Sequence, residues 1–178
     1  MTADKRILVV CYSLTGNTER VARDIAARLD ADVERIQDKK NRQGLLAYLR
    51  AALDSGRERP AQIGDVGRYP NEYALTVIGT PVWAGKMTPA VRAYLRMAHG
   101  RFNDVAFFTT SGSTPAGKIV PAMEALAGRK AVAFTGFNGR ELNSASLYDE
   151  KLSAFVRMLR NAGPSRISRD DSTAHSYA

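Results

Sequence analysis

Short apolar runs alternate with amphipathic stretches along most of the chain. Apolar, β-branched runs bounded by polar turns predict strands, and apolar residues that recur every three or four positions predict helices. Five segments fit the strand pattern: 6–12, 32–36, 74–79, 105–110 and 131–137. Five others fit the helix pattern: 17–29, 45–53, one that starts after Thr88, one that ends at Gly128, and 147–160. Because strands and helices alternate, we predict an α/β fold whose parallel sheet is covered by helices on both faces.

The composition of single segments refines their positions. Residues 32–36 alternate polar and apolar, which predicts a half-buried strand at the sheet edge, whereas residues 74–79 are nearly all apolar and are expected at its centre. Residues 37–73 include a loop-like run that is long for a compact domain, and such loops are typically lids, subunit contacts or disordered segments. Residues 163–178 are polar and aperiodic, so we expect one domain over residues 1–162 and a disordered tail.

Three of the predicted strands lead into loops of unusual composition. Residues 13–18 and 111–115 are rich in hydroxyl groups, and residues 80–88 contain the only tryptophan of the chain. In parallel α/β sheets the ligand binds beyond the carboxyl ends of the strands, where the strand order reverses. We therefore expect one ligand to contact all three loops.

The first of these loops joins an apolar strand to an amphipathic helix. A helix N-terminus carries unpaired backbone N–H groups and a partial positive charge, so it favours an anion. The groups that would complete a phosphate site are the hydroxyls of Ser13, Thr15 and Thr18, the amide of Asn17 and the closely approaching backbone of Gly16. The alternative is a turn that only caps the helix and binds nothing.

The same loop contains no lysine or arginine, which narrows its chemistry. A phosphate held by hydroxyls and backbone amides alone is typical of a bound cofactor rather than of a phosphate that is transferred. The lysine-containing Walker pattern and the G-x-G-x-x-G of dinucleotide sites are both absent. A phosphatase loop of the Cys-x5-Arg kind would need an arginine in place of Asn17.

Composition limits the class of protein. The chain has 178 residues, of which 44% are hydrophobic and 25% charged, as in a globular domain with a sizeable core. Its single cysteine excludes an internal disulfide and fits a cytoplasmic location. We see no secretory signal and no membrane-spanning run. His99 and His175 lie far apart without ligand spacing, so we expect no metal.

The formal charge is +8, and the excess is uneven. Within residues 74–140 only Asp104 and Glu124 are acidic, whereas the bases are Lys86, Arg92, Arg96, Arg101, Lys118, Arg129, Lys130 and Arg140. A basic face attracts phosphorylated cofactors or acidic proteins, although most charge excesses only confer solubility. The chain lacks an RNA-binding aromatic motif and a helix-turn-helix signature, so we expect no nucleic-acid partner.

In this order, the three loops resemble those of the flavodoxin-like FMN-binding family, which includes flavodoxins and NAD(P)H:quinone reductases. Residues 13–18 resemble its phosphate loop, S/T-x-T-G-x-T, residues 80–91 its second flavin loop, and residues 110–113 its third. The similarity covers residues 6–161. It implies a three-layer α/β/α sandwich with a five-stranded parallel sheet in the order 2-1-3-4-5.

The resemblance further implies bound FMN, with its phosphate on the first loop and its ring between the other two. The cofactor-binding residues that it implies are Ser13, Thr15, Gly16, Asn17, Thr18, Pro81, Val82, Trp83, Ala84, Gly85, Lys86, Ser111, Gly112 and Ser113. Trp83 is suited to stacking on a flat ring, and Lys86 could neutralise a reduced, anionic flavin. The alternatives are a loop anchor for Trp83 and an ordinary surface lysine. No catalytic side chain is implied, because FMN carries the chemistry.

Two departures from the family pattern bear on function. Flavodoxins that carry electrons are usually acidic and place an aromatic residue in the third loop, whereas this chain is basic and its third loop is small. Basic surroundings favour two-electron reduction, and a small loop leaves one flavin face open for a nicotinamide or a quinone. We therefore expect an FMN-dependent oxidoreductase that uses NAD(P)H to reduce a quinone or similar acceptor, as a monomer or homodimer. The phosphates of NAD(P)H could be attracted by Arg92, Arg96 or Arg140.

Two alternatives belong to other classes. A flavodoxin-type one-electron carrier would need an acidic partner protein and would stabilise a half-reduced flavin. A receiver-type module of the same fold would need an acidic cluster after the first strand, where this chain has Cys11, Tyr12 and Ser13.

Overall fold

The computed structural model describes residues 7–37 and 63–162. Its strands are β1 (Ile7–Cys11), β2 (Asp32–Arg35), β3 (Leu75–Trp83), β4 (Lys86–Met87), β5 (Asp104–Ser111) and β6 (Ala131–Asn138). Its helices are α1 (Asn17–Leu29), α2 (Pro89–Met97), α3 (Val120–Ala127), α4 (Gly139–Asn143) and α5 (Ala145–Ala162), with short 3-10 helices at Pro70–Glu72 and Ala116–Lys118. The helix predicted at 45–53 and the tail predicted at 163–178 lie outside the described residues.

The parallel strands lie in the order β2-β1-β3-β5-β6, with β2 at one edge and β3 in the middle, as expected. The predicted count of five strands is wrong, because β4 adds a sixth that pairs antiparallel with the end of β3. β3 continues through Pro81 to Trp83, where the sequence predicted a loop. Ala84 and Gly85 then turn the chain back with φ angles of 47° and 72°. Positive φ at both central residues defines the tight type I′ hairpin turn.

Helices cover both faces of the sheet. On one face, α1 and α5 pack their apolar residues, including Ile25 and Phe155, against Val9 and Phe108. On the other face, α2 and α3 pack against a second cluster that includes Phe107. The sheet therefore lies between two helical layers, and its central strands are buried on both sides. No helix within the described ranges is long and apolar enough to cross a membrane.

One close approach in the sheet depends on a glycine. Gly79 on β3 lies beside the fully buried ring of Phe108 on the neighbouring strand β5. A Cβ atom at Gly79 would lie 2.0 Å from the Cζ atom of that ring. The ring therefore occupies the space that any other residue at this position would need.

Charged and polar side chains pair with one another along the edge strand β2. Asp32 accepts a hydrogen bond of 2.9 Å from the Tyr73 hydroxyl. Glu34 accepts from the backbone N–H of Gly67 at 3.1 Å and forms an ion pair of 3.3 Å with Arg68. These contacts attach the segment before β3 to the sheet edge.

The connection between β6 and α5 contains the short helix α4. The Asn138 side chain accepts from the Glu141 backbone N–H at 3.0 Å, and the Glu141 carboxylate accepts from the Asn138 N–H at 2.8 Å. This reciprocal capping box satisfies donors at the helix start and so stabilises the five-residue helix α4. Helix α5 then begins at Ala145, two residues before the predicted start at residue 147.

Candidate functional site

A cleft of about 270 Å³ opens at the carboxyl ends of β1, β3 and β5. Successive strands β1, β2 and β3 place β2 and β3 on opposite sides of β1, so the strand order reverses at this point. The residues that line the cleft are Leu14, Thr15, Asn17, Thr18, Pro81, Val82, Trp83, Thr110, Ser111, Gly112, Gly139 and Leu142. The structure therefore brings all three predicted loops together around one cleft.

The predicted site residues divide into two groups. Those that line the cleft are Thr15, Asn17, Thr18, Pro81, Val82, Trp83, Ser111 and Gly112. Those that belong to the same loops but do not line it are Ser13, Gly16, Ala84, Gly85, Lys86 and Ser113. Four lining residues were not among the predicted site residues: Leu14 and Thr110, which belong to the first and third loops, and Gly139 and Leu142, which the sequence reasoning missed entirely.

Internal hydrogen bonds shape the first loop. The Ser13 hydroxyl accepts from the Gly16 backbone N–H at 3.1 Å, and the buried Thr18 hydroxyl bonds to that of Thr110 at 2.8 Å. Gly16 occupies the N-cap of α1 with φ of 91°, and no side chain caps the helix there. Thr15 and Asn17 are exposed and line the cleft. Thus Ser13 and Thr18 hold the loop, while Thr15 and Asn17 face the cleft beside an uncapped helix N-terminus.

None of the described residues that line the cleft carries a charged side chain. Glu19, in the first turn of α1, is held by Arg23 at 2.8 Å and by Arg35 at 3.3 Å. The hydrogen bond from Arg23 holds the pKa of the Glu19 carboxyl below its ordinary value. Because two guanidinium groups balance this carboxylate, it adds little repulsion for an anion at the helix N-terminus.

The thiol of Cys11 lies on β1, just before the first loop. Burial raises its pKa to about 12, so the thiol stays protonated and has no nucleophilic character. In the two described stretches, no three His, Cys, Asp or Glu side chains come close enough to hold a metal ion.

The second loop places an aromatic ring at the cleft. Trp83 is half-buried and meets the ring of Tyr12 edge-on, with ring centroids 5.9 Å apart and planes at 80°. Thr80 accepts from the Thr88 backbone N–H at 3.2 Å and so closes the hairpin at its base. Thr88 stands at the N-cap of α2, but its hydroxyl contacts Thr80 and does not cap the helix.

The third loop is held close to α4. The Ser111 hydroxyl donates to the Thr114 carbonyl at 2.8 Å, and the Gly139 N–H donates to the Gly112 carbonyl at 3.4 Å. Gly139 and Leu142 line the cleft because of this contact. The signal that could have revealed α4 is the Asn-x-x-Glu capping pattern at residues 138–141.

Solved structures of flavoproteins share this fold. A flavoprotein from Lactobacillus acidophilus, in complex with FMN, is 23% identical, and the match covers 80% of this chain and 99% of that one with a TM-score of 0.62. A candidate flavoprotein from Bacteroides uniformis is 22% identical, with coverage of 77% and 92% and a TM-score of 0.65. The Trp repressor binding protein of Bacillus subtilis is 14% identical, with coverage of 86% and 99% and a TM-score of 0.52.

No protein-family model and no curated protein matches the sequence. At these identities the likeness to the solved structures concerns the fold alone. The strand order of this chain agrees with that fold, because the order reverses beside the first strand, as it does in flavodoxins. The chain therefore has a flavodoxin-like α/β fold with a cleft at its topological switch point.

Proposed function

We propose that the cleft binds FMN. The observation that carries the proposal is the convergence of an uncharged, hydroxyl-rich helix N-terminus and an aromatic hairpin on one cleft. The phosphate would lie at the first turn of α1, where backbone N–H groups and the side chains of Thr15 and Asn17 donate hydrogen bonds. The FMN complex of the Lactobacillus acidophilus flavoprotein, which has a similar fold, supports this choice.

The remaining lining suits the flat, largely apolar ring of a flavin. Pro81, Val82 and Trp83 contribute apolar surface to the lining, and Ser111 and Gly112 contribute small residues. Tyr12 holds the Trp83 ring edge-on, so the indole face is oriented before a ligand arrives. We therefore infer that the ring lies between the hairpin and the third loop, with Trp83 stacked on it.

We further propose that the protein reduces a quinone or similar small acceptor with electrons from NAD(P)H. When bound, FMN would supply the redox chemistry by accepting two electrons from the nicotinamide and passing them to the acceptor. The chain would bind and orient the reactants, and the small side chains of Ser111 and Gly112 would leave space for them. No carboxylate stands among the described lining residues, and this favours a negatively charged, reduced cofactor.

Of the three arginines considered for NAD(P)H, only Arg140 directly follows a residue that lines the cleft. It follows Gly139, which lines the cleft, and its side chain is exposed. Arg96 lies in the last turn of α2, about 10 Å along the helix from the end that starts beside the cleft. We therefore propose that Arg140 attracts the phosphates of the dinucleotide.

The second candidate function is a one-electron carrier for an acidic protein. It is favoured by the exposed cations Lys86, Lys118 and Arg140, which lie in or beside the elements that form the cleft. Such cations would steer an acidic partner toward the cofactor.

One experiment tests FMN binding and separates the two functions. The purified protein is mixed with FMN, its visible spectrum is recorded, and it is titrated anaerobically with dithionite. In the titration, the reductase predicts direct conversion from oxidised to fully reduced flavin. In a separate assay without dithionite, it predicts that NADH or NADPH is oxidised when a quinone is present. A third spectral species that persists at half reduction supports the carrier, and absence of NAD(P)H oxidation with any quinone contradicts the reductase. Failure to bind FMN contradicts both.

A further inference from the structure

The cleft has a fourth wall, made by the short helix α4. Its residues Gly139 and Leu142 line the cleft together with Thr15, Asn17 and Thr18 from the first loop. Leu142 is half-buried and packs on the apolar cluster beneath α1 and α5. An apolar side chain with partial exposure inside a cleft is a ready contact for an apolar part of a ligand.

Helix α4 is fixed at its start and, through Glu141, at its middle residue. At its start, the capping box joins Asn138 and Glu141. The other carboxylate oxygen of Glu141 accepts from Lys151 on α5 at 2.6 Å. A five-residue helix has little stability of its own, so these contacts are what keep its position.

A second set of contacts joins α4 to the helix that carries the first loop. The Arg20 guanidinium, in the first turn of α1, donates to the Leu142 carbonyl at 2.8 Å and lies 4.7 Å above the ring centroid of Tyr148. The Tyr148 hydroxyl donates to Asp24 at 2.6 Å. Burial raises the pKa of Tyr148, so its hydroxyl keeps its proton and remains a donor. Arg20, Asp24, Leu142 and Tyr148 together form what we call the clasp.

We propose that Leu142 contacts the bound cofactor beyond its phosphate, and that Arg20 is a positioning residue that sets the distance between Leu142 and the first loop. The proposal rests on FMN being the ligand. Arg20 comes three residues after Asn17 on the same helical turn. The first turn of α1 therefore carries Asn17 at the cleft and also holds Leu142 of the fourth wall through Arg20. A change in the clasp would therefore widen the cleft without altering any residue of the loop.

The Leu142→Ala variant tests the contact. Because Leu142 touches the part of the ligand beyond the phosphate, we expect the Kd for FMN and the Kd for riboflavin to rise by the same factor, about fivefold. The readouts are flavin fluorescence quenching for both ligands and thermal unfolding without ligand. The matched control is Leu29→Ala, which removes another half-buried leucine packed on the same cluster but away from the cleft, and it should leave both Kd values unchanged.

Arg20 needs two variants, because its charge alone could attract a phosphate. Arg20→Lys keeps the charge but lacks the planar group that both stacks on Tyr148 and reaches the Leu142 carbonyl, and Arg20→Met removes the charge as well. If Arg20 positions the wall, both variants weaken FMN and riboflavin by similar factors, about threefold, and the loss is the same at low and high salt. Full affinity in Arg20→Lys, or a loss confined to FMN at low salt, overturns the positioning role.

The outcomes also separate this proposal from the proposed function. Wild-type protein that binds no FMN contradicts the proposed function, and this inference with it. If wild-type protein binds FMN and the Leu142→Ala variant has unchanged affinity, the contact between Leu142 and the cofactor is contradicted, whereas the proposed function stands.

Discussion

Polar groups are arranged in opposite ways at two places on the sheet. Along the edge strand β2, Asp32 and Glu34 are each held by partners from the segment that precedes β3. At the cleft, Thr15 and Asn17 make no side-chain hydrogen bond to another described residue, and the start of α1 has no side-chain cap. Paired groups contribute to folding, whereas donors left exposed around a cleft are available to a ligand.

This contrast predicts that the two places affect different measurements. Substitutions at the β2 edge should change stability and leave ligand affinity unchanged. Substitutions of the exposed donors at the cleft should do the reverse. Variants at the cleft, at the β2 edge and at Glu19 test the separation.

The largest effect is expected at the cleft. Replacing Thr15 and Asn17 together by alanine should weaken FMN binding at least tenfold, since two hydrogen bonds to a charged phosphate are worth more than about 1.4 kcal/mol. The free energy of unfolding should change by less than about 0.5 kcal/mol, because neither side chain supports the fold. Fluorescence titration and urea denaturation measure the two quantities. Ser146→Ala, at an exposed serine on α5, is the control for loss of a hydroxyl. Unchanged affinity in the double variant would remove the first loop from its assigned role.

An intermediate effect is expected at the β2 edge. Glu34→Ala removes the acceptor for the Gly67 N–H and the partner of Arg68, so unfolding should become easier by about 1 kcal/mol. Glu34→Gln keeps a hydrogen-bond acceptor and should lose about half as much. Urea denaturation gives these values, and FMN affinity should match the wild type in both variants. A weaker FMN affinity would show that the two places are coupled.

The smallest effect is expected from Glu19, which lies between the two places in the fold. Its pKa is held below the ordinary 4.5, chiefly by the hydrogen bond from Arg23, so the folded state binds its proton less tightly than the unfolded state does. The carboxylate therefore stabilises the protein above pH 4.5, and the contribution is lost as the pH falls through its lower folded pKa. Glu19→Gln should be less stable than wild type by roughly 0.5 kcal/mol at pH 7. Denaturation from pH 7 to pH 3 checks this, and a difference that grows toward low pH would contradict it.

The central part of the fold follows from the sequence because its pattern has one physical meaning. Residues 74–79 and 105–110 are almost continuously apolar, as buried parallel strands must be, and α1 shows its apolar stripe at regular intervals. The hairpin at Ala84 and Gly85 was missed because proline and glycine near a strand end predict a loop, and because alanine rarely adopts a positive φ.

The candidate site was predictable only in part, because some of its residues come together through contacts between distant parts of the chain. The first loop lies between a strand and a helix, so local sequence already places Thr15 and Asn17 at the helix start. Leu142 reaches the cleft through two contacts of α4. The first, with Arg20, joins residues 122 positions apart, and the second joins Gly139 to Gly112 in the third loop. Spacing along the chain carries no signal for such contacts.

The contact between Gly79 and Phe108 restricts how this sequence can evolve. Every base change that replaces one amino acid by another in a glycine codon introduces a Cβ atom, and the Phe108 ring already fills that space. While the Phe108 ring keeps its present position, any other residue at position 79 would therefore clash with it. A smaller residue at position 108 would remove that clash, so the cost of replacing Gly79 depends on which of the two substitutions comes first.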